Sequence, residues 1–341
     1  MFGKLRSKYF KKDLSRNFNI NNADCTLMTF DTTKVGSANT HVVLPFVATG
    51  TYNCIISWGD GTTSRITAWN DAALDHTYAA TGTYDVAITG VCNGWRYNNA
   101  GDKLKLMVIK RWGKDFRLGN ANGYFYGCAN LTITATDILN LTGTTDLSYA
   151  FAICSSITTF PSLATLDTLN VTNMFALFWT CTNFNQSVSN LNTTNVTTMA
   201  SMFESCTNFK QSVSNFNTTK VTLMTSMFYL CTNFNQSVSN FNTTKVTSME
   251  NMFWLCSTFN QDVSGFDVQL VTTMAQMFLN ANALSTANYD ALLISWAAQT
   301  VKPDVAFHAG DATYSAGAAA TARAHLVNTH LWTILDGGQA A

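Results

Sequence analysis

Charge is what this chain has least of. Asp, Glu, Lys and Arg make up 12% of its 341 residues, roughly half the usual share, so its surface must be made polar by Asn, Thr, Ser and Gln. Lys plus Arg and Asp plus Glu are equal at 20 each, so no global field favours a nucleic acid or an anionic membrane as partner. No run of about 18 apolar residues occurs, which argues against a membrane span. No apolar stretch of signal-peptide length follows the basic start, so Sec export is not expected. There is no Cys-x-x-Cys pair to hold zinc, and the nine cysteines are an odd number for a disulfide framework. Phosphate-cradling glycine loops, nucleophile elbows and paired acidic motifs are also missing. His41, His76, His308, His325 and His330 show no metal-ligand spacing, since His325 and His330 would diverge on one helix. No catalytic residue, cofactor or metal is therefore assigned, and the chain reads as non-enzymatic. Its 47% hydrophobic content is ample for a packed core.

What is present in abundance is repetition. Val196, Met199, Met202, Phe203, Cys206, Phe209, Gln211, Val213 and Phe216 return as Val221, Met224, Met227, Phe228, Cys231, Phe234, Gln236, Val238 and Phe241, and again from Val246 to Phe266. An earlier copy runs from Val171 to Leu191, and fainter ones centre on Phe125, Phe151 and Phe278, giving about seven units of about 25 residues. The steps of three from Val196 to Cys206 predict a helical or tight-turn segment. The alternation of Phe209, Gln211 and Val213 with polar residues predicts a short strand, and Asn215–Thr219 a turn. Strands about 4.8 Å apart would make a sheet roughly 30 Å long. Phe, Met and Cys are expected in files along the core. Gln186, Gln211, Gln236 and Gln261 would form an amide ladder or contact a ligand. The opposite strand face carries Asn185, Lys210, Asn235 and Asn260, then Ser187, Ser212, Ser237 and Asp262. These eight are the candidate binding residues, although such a file also serves solubility alone. Asn-Thr-Thr at 192–194 and 217–219 is read as turn chemistry.

Phe-x-x-Cys followed by Phe-Asn-Gln, after a Val-Thr-x-Met-x-x-Met-Phe run, resembles the BspA-like leucine-rich repeats of bacterial surface proteins and some phage virion proteins. The resemblance spans residues 125–284 and implies a right-handed leucine-rich solenoid used in adhesion or display, without catalysis. Upstream, Trp58-Gly59-Asp60-Gly61-Thr62-Thr63, then His76-Thr77-Tyr78 and the alternating 82–88 segment, are similar to the PKD-type immunoglobulin-like β-sandwich. Val42–Val47 and Leu104–Ile109 supply further strands, and Asp60 caps its turn or ligates calcium. The expected fold is mainly β with short helical segments: a PKD-like sandwich at 26–112, a leucine-rich-repeat solenoid of about seven coils at 113–284, and an α/β cap at 285–341. In the cap, a helix with Ser285 or Thr286 near its N-cap, a helix over Ala318–Val327 and a strand at 331–335 are expected.

Residues 1–25 form a basic arm, in which Lys4, Arg6, Lys8, Lys11, Lys12 and Arg16 stand against Asp13 up to Asn19. It is either a solvated tail or a peptide that docks onto other virion proteins. Three roles follow: a phage virion protein assembled in the host cytoplasm (tail fibre, spike or capsid decoration) that attaches to a host-surface glycan or protein, a bacterial cell-surface adhesin, or an intracellular protein-binding scaffold. Oligomeric state stays open.

Overall fold

The computed structural model describes residues 23–341, so the basic arm falls almost wholly outside the described residues. The chain is mainly β with few helices, but the sheets are not those of the expected sandwich and solenoid. A seven-stranded mixed sheet is built from β1 (Thr26–Asp31), β3 (Phe46–Ser57), β4 (Thr63–Ile66), β6 (Thr83–Trp95), β7 (Leu106–Arg111), β8 (Phe116–Arg117) and β9 (Thr132–Ile133). Its order is β4-β3-β6-β1-β7-β9, with β8 alongside β6. Among the described residues of this region, the antiparallel pair β2 (His41–Val43) and β5 (Asp75–Thr77) is the one sheet apart from it. The sheet also runs on past residue 112 through the parallel pairs β6–β8 and β7–β9. Alternating hydrophobicity identifies strands but not their partners, and here the open edge of β7 is taken by the first repeat unit.

Within the repeats the expected one-strand-per-coil solenoid sheet is not seen, and the segment around Phe209–Val213 carries no strand. Each unit is instead a chain of β-turns. Met202 N donates to Met199 O, Glu204 N to Ser201 O, Cys206 N to Phe203 O and Phe209 N to Cys206 O, at 2.9–3.1 Å. The three-residue spacing is thus the i to i+3 step of successive turns, which sequence periodicity does not separate from a helix. Ser201 and Ser205, at the third position of two of these turns, are left-handed at φ 56° and 61°. Their counterparts Ser226 and Leu230, and Asn251 and Leu255, share that conformation. It costs a side-chain-bearing residue roughly 1–2 kcal/mol, a cost offset by the bonds the turns release outward. Alternate amides reach the next unit: Met199 N to Leu223 O, Ser201 N to Thr225 O, Phe203 N to Met227 O and Ser205 N to Tyr229 O, at 2.7–3.3 Å. The same four bonds recur from Met224, Ser226, Phe228 and Leu230. Isolated parallel bridges link residues 146, 173, 198, 223, 248 and 273 in succession, and Met274 bridges Phe307.

Side chains complete each junction. Phe178, Phe203, Phe228, Phe253 and Phe278 stack with centroids 5.4–6.0 Å apart, inside one continuous apolar core. Buried Thr193, Thr218 and Thr243 donate to the backbone oxygens of Asn217, Asn242 and Asp267 in the following unit. Thr193 and Thr218 also accept from the amides of Asn217 and Asn242, at 2.7 Å. That explains the first threonine of each Asn-Thr-Thr, whose asparagine caps the amide two residues on.

The cysteines stand in file, and Cys181, Cys206, Cys231 and Cys256 each donate a thiol to the carbonyl of the preceding unit's phenylalanine at 2.7–3.0 Å. Burial pushes the Cys181 thiol up to about 12 and raises its neighbours likewise. All nine cysteines are buried, and only the thiolate reacts. At pH 8 the folded protein should consume essentially no Ellman's reagent within minutes, and nine equivalents per chain after denaturation. Rapid reaction of the native protein would contradict this packing.

The C-terminal end closes the stack. Met274 and Phe278 donate to Ala306 O and His308 O, so β10 (Ala306–His308), with β11 (Thr333–Leu335) beside it in parallel, covers the last repeat. Helix α1 (Thr286–Ala297) is N-capped by Ser285, whose hydroxyl accepts from Asn288 N. Helix α2 (Ala318–His330) packs against it.

Candidate functional site

The eight residues expected on one face divide into two sets. Asn185, Asn235 and Asn260 act as connectors between units. Asn185 Oδ1 accepts from Lys210 N and Gln211 Nε2 at 3.1 and 3.0 Å, Asn235 Oδ1 from Asn260 N and Gln261 Nε2 at 2.9 and 2.8 Å, and Asn260 Oδ1 from Ser285 N and Asn288 Nδ2. The expected glutamine-to-glutamine ladder is replaced by this asparagine relay. Lys210 occupies the same register and, lacking an acceptor, interrupts it. Ser187, Ser212 and Ser237 are exposed, and each pairs with the serine two residues on at 3.0 Å. Asp262 caps Ser264 N.

Asn185 and Lys210 do come together, in a groove of about 460 Å³ shared with Thr158, Asn183, Asn208 and Asn233. Asn208 Nδ2 donates to Asn183 Oδ1, and Asn183 and Asn233 donate to the carbonyls of Ser155 and Thr207. This second asparagine file, part of the repeating Cys-Thr-Asn-Phe string, was not among the residues singled out from the sequence. The groove offers amide groups, a hydroxyl and one ammonium, so its chemistry is hydrogen bonding to an oxygen-rich surface. Lys210 is the single charged side chain in its lining.

Two other features escaped the sequence. A groove of about 660 Å³ lies where sheet and repeats meet, lined among others by Lys114, Asp137, Ile138 and Asp167. Asp137 is engaged there by the amides of Trp112 and Gly113 at 2.8–3.0 Å. On the face of the turn ladder, half-buried Tyr126, Tyr149, Phe175 and Trp179 pack ring to ring at 5.1–6.2 Å. The Trp179 indole donates to Glu204. Asp60, read as turn cap or calcium ligand, accepts from Thr62 N and Oγ1 and contacts His76 Nε2 at 2.8 Å. Among the described residues no three acidic, His or Cys groups gather as a metal site, and no helix is long and apolar enough to cross a membrane.

A family model matches the repeats. Residues 145–253 and 206–308 fit the family described as Mycoplasma protein of unknown function, DUF285. The two windows overlap and contain all eight candidate residues and the smaller groove. No curated protein and no solved structure matches the chain.

Proposed function

We propose that this chain is a non-enzymatic adhesion and display protein of a phage particle, serving as a tail fibre, spike or capsid decoration whose repeat face meets a glycan or protein of the host surface. The supporting observation is the recurrence, unit after unit, of the same small uncharged donors and acceptors at exposed positions: Ser187, Ser212 and Ser237, and Asn183, Asn208 and Asn233. Each group binds weakly, and copies on a particle multiply the effect through effective concentration. The resemblance of the Met-Phe-x-x-Cys repeats to BspA-like surface and virion proteins supports the same reading. In it, the basic arm joins the chain to other virion proteins. A bacterial cell-surface adhesin is the second reading, favoured by the match to a family described from Mycoplasma.

Mass spectrometry of purified virus particles separates the two, since the first requires the polypeptide in the particle. The intact protein is also expected to be retained on immobilised host-envelope glycans or proteins. Absence from particles together with no retention would remove both adhesive readings.

A further inference from the structure

The asparagine relay is broken at one place, and the break leaves donors without an acceptor. In the units on either side, one carboxamide oxygen gathers the backbone amide and the glutamine side chain of the next unit. At Lys210 that oxygen is gone. The equivalent donors, Asn235 N and Gln236 Nε2, have no acceptor among the described residues, and Lys210 forms no ion pair there. Both Lys210 and Asn235 are exposed and Gln236 is half-buried. By the register of the repeat, Lys210, Asn235 N and Gln236 stand where Asn185 and its two donors stand one unit earlier, and Lys210 also lines a groove of about 460 Å³ whose lining holds no carboxylate.

We infer that this position binds an oxyanion carried on a sugar, a carboxylate or a phosphoryl group, with Lys210, Asn235 N and Gln236 as its donors. Asn183, Asn208 and Asn233 hydrogen-bond the hydroxyls of the same saccharide. An anion here restores the acceptor that Asn185 and Asn235 provide elsewhere and adds a charge-assisted bond from Lys210. The inference deepens the adhesive reading of this face and rests on it for its biological use.

Lys210→Asn is the informative variant, because it installs the residue of the neighbouring units. It should fold with a denaturation midpoint equal to or above that of the unaltered protein. By saturation-transfer NMR and calorimetry on the intact chain, glucuronic acid, N-acetylneuraminic acid and glucose 1-phosphate should bind, with methyl glucoside at least tenfold weaker. The acidic sugars should lose at least tenfold in affinity in Lys210→Asn. Preference for the two carboxylates or for the sugar phosphate identifies the source of the oxyanion. Equal binding of methyl glucoside, undiminished binding by the variant, or inorganic phosphate binding as tightly as glucose 1-phosphate would overturn the inference. Retention of both proteins alike on host-envelope material would count against the Lys210 site and leave adhesion standing. Acidic-sugar binding lost in the variant, with no retention of either protein, would leave the site standing and remove adhesion.

Discussion

Phe228→Ala is expected to cost the folded protein about 3–5 kcal/mol, read as a lowered denaturant midpoint of the intact chain. Phe228 is fully buried, with Phe203 at 5.8 Å on one side, Phe253 at 5.7 Å on the other and Phe234 of its own unit at 4.1 Å. Its neighbours are held by inter-unit backbone bonds on both sides, so they cannot collapse into the space the ring leaves. In a stack where each unit touches only the next, a cavity in the middle weakens two junctions at once. Leu223, 41% exposed in the same unit, provides the control: Leu223→Ala should stay within about 0.5 kcal/mol of the unaltered protein. A Phe228→Ala loss below about 1 kcal/mol would mean the phenylalanine column contributes little.

The second large effect lies in the sheet. Lys105 and Asp102 are wholly buried. Lys105 Nζ donates to Ser37 O, Ser37 Oγ, Ala38 O and His41 O at 2.8–3.0 Å, and stands 3.5 Å from Asp102 Oδ1. Asp102 in turn accepts from Ser37 N, Ser37 Oγ and Val43 N. The pair fastens the 37–43 segment, including β2, to the end of β7. Lys105→Met keeps the length of the side chain but strands a buried carboxylate and several carbonyls, which costs about 3–5 kcal/mol. Adding Asp102→Asn should recover part of that loss, because the remaining charge is then removed. Equal midpoints for Lys105→Met and the unaltered protein would show that the ammonium is dispensable.

The sequence made the repeat period, the buried Phe, Met and Cys files and the Ser285 cap legible, because each is a matter of which side chains are apolar and where they recur. It did not reveal the backbone. A turn chain and a helix both place apolar side chains three residues apart, and the left-handed positions that distinguish them are filled after the first unit by residues as varied as Tyr149, Ile153, Ala176, Thr180, Ser201, Leu230, Asn251 and Gln276. Only the first unit, with Gly123 and Gly127 at the matching places, carries the glycines that would have announced them. The alternation at Phe209–Val213 likewise suggested a strand, whereas the inter-unit amides that would pair it sit at residues 199–205. Of the candidate site, Asn185 and Lys210 were singled out by their parity on the strand expected there. Their opposite roles, one an acceptor in use and the other a gap, depend on bonds between units that one-dimensional parity cannot express.

The near-identity of the junctions has a genetic consequence. Segments 193–217 and 218–242 present closely similar partners above and below: a threonine hydroxyl, a thiol, four outward amides and a phenylalanine ring. Slippage between the corresponding stretches of the gene would insert or delete a whole layer and still match the next one. The reach of the protein from its sheet to its helical end is therefore adjustable in single steps, without redesign of either end.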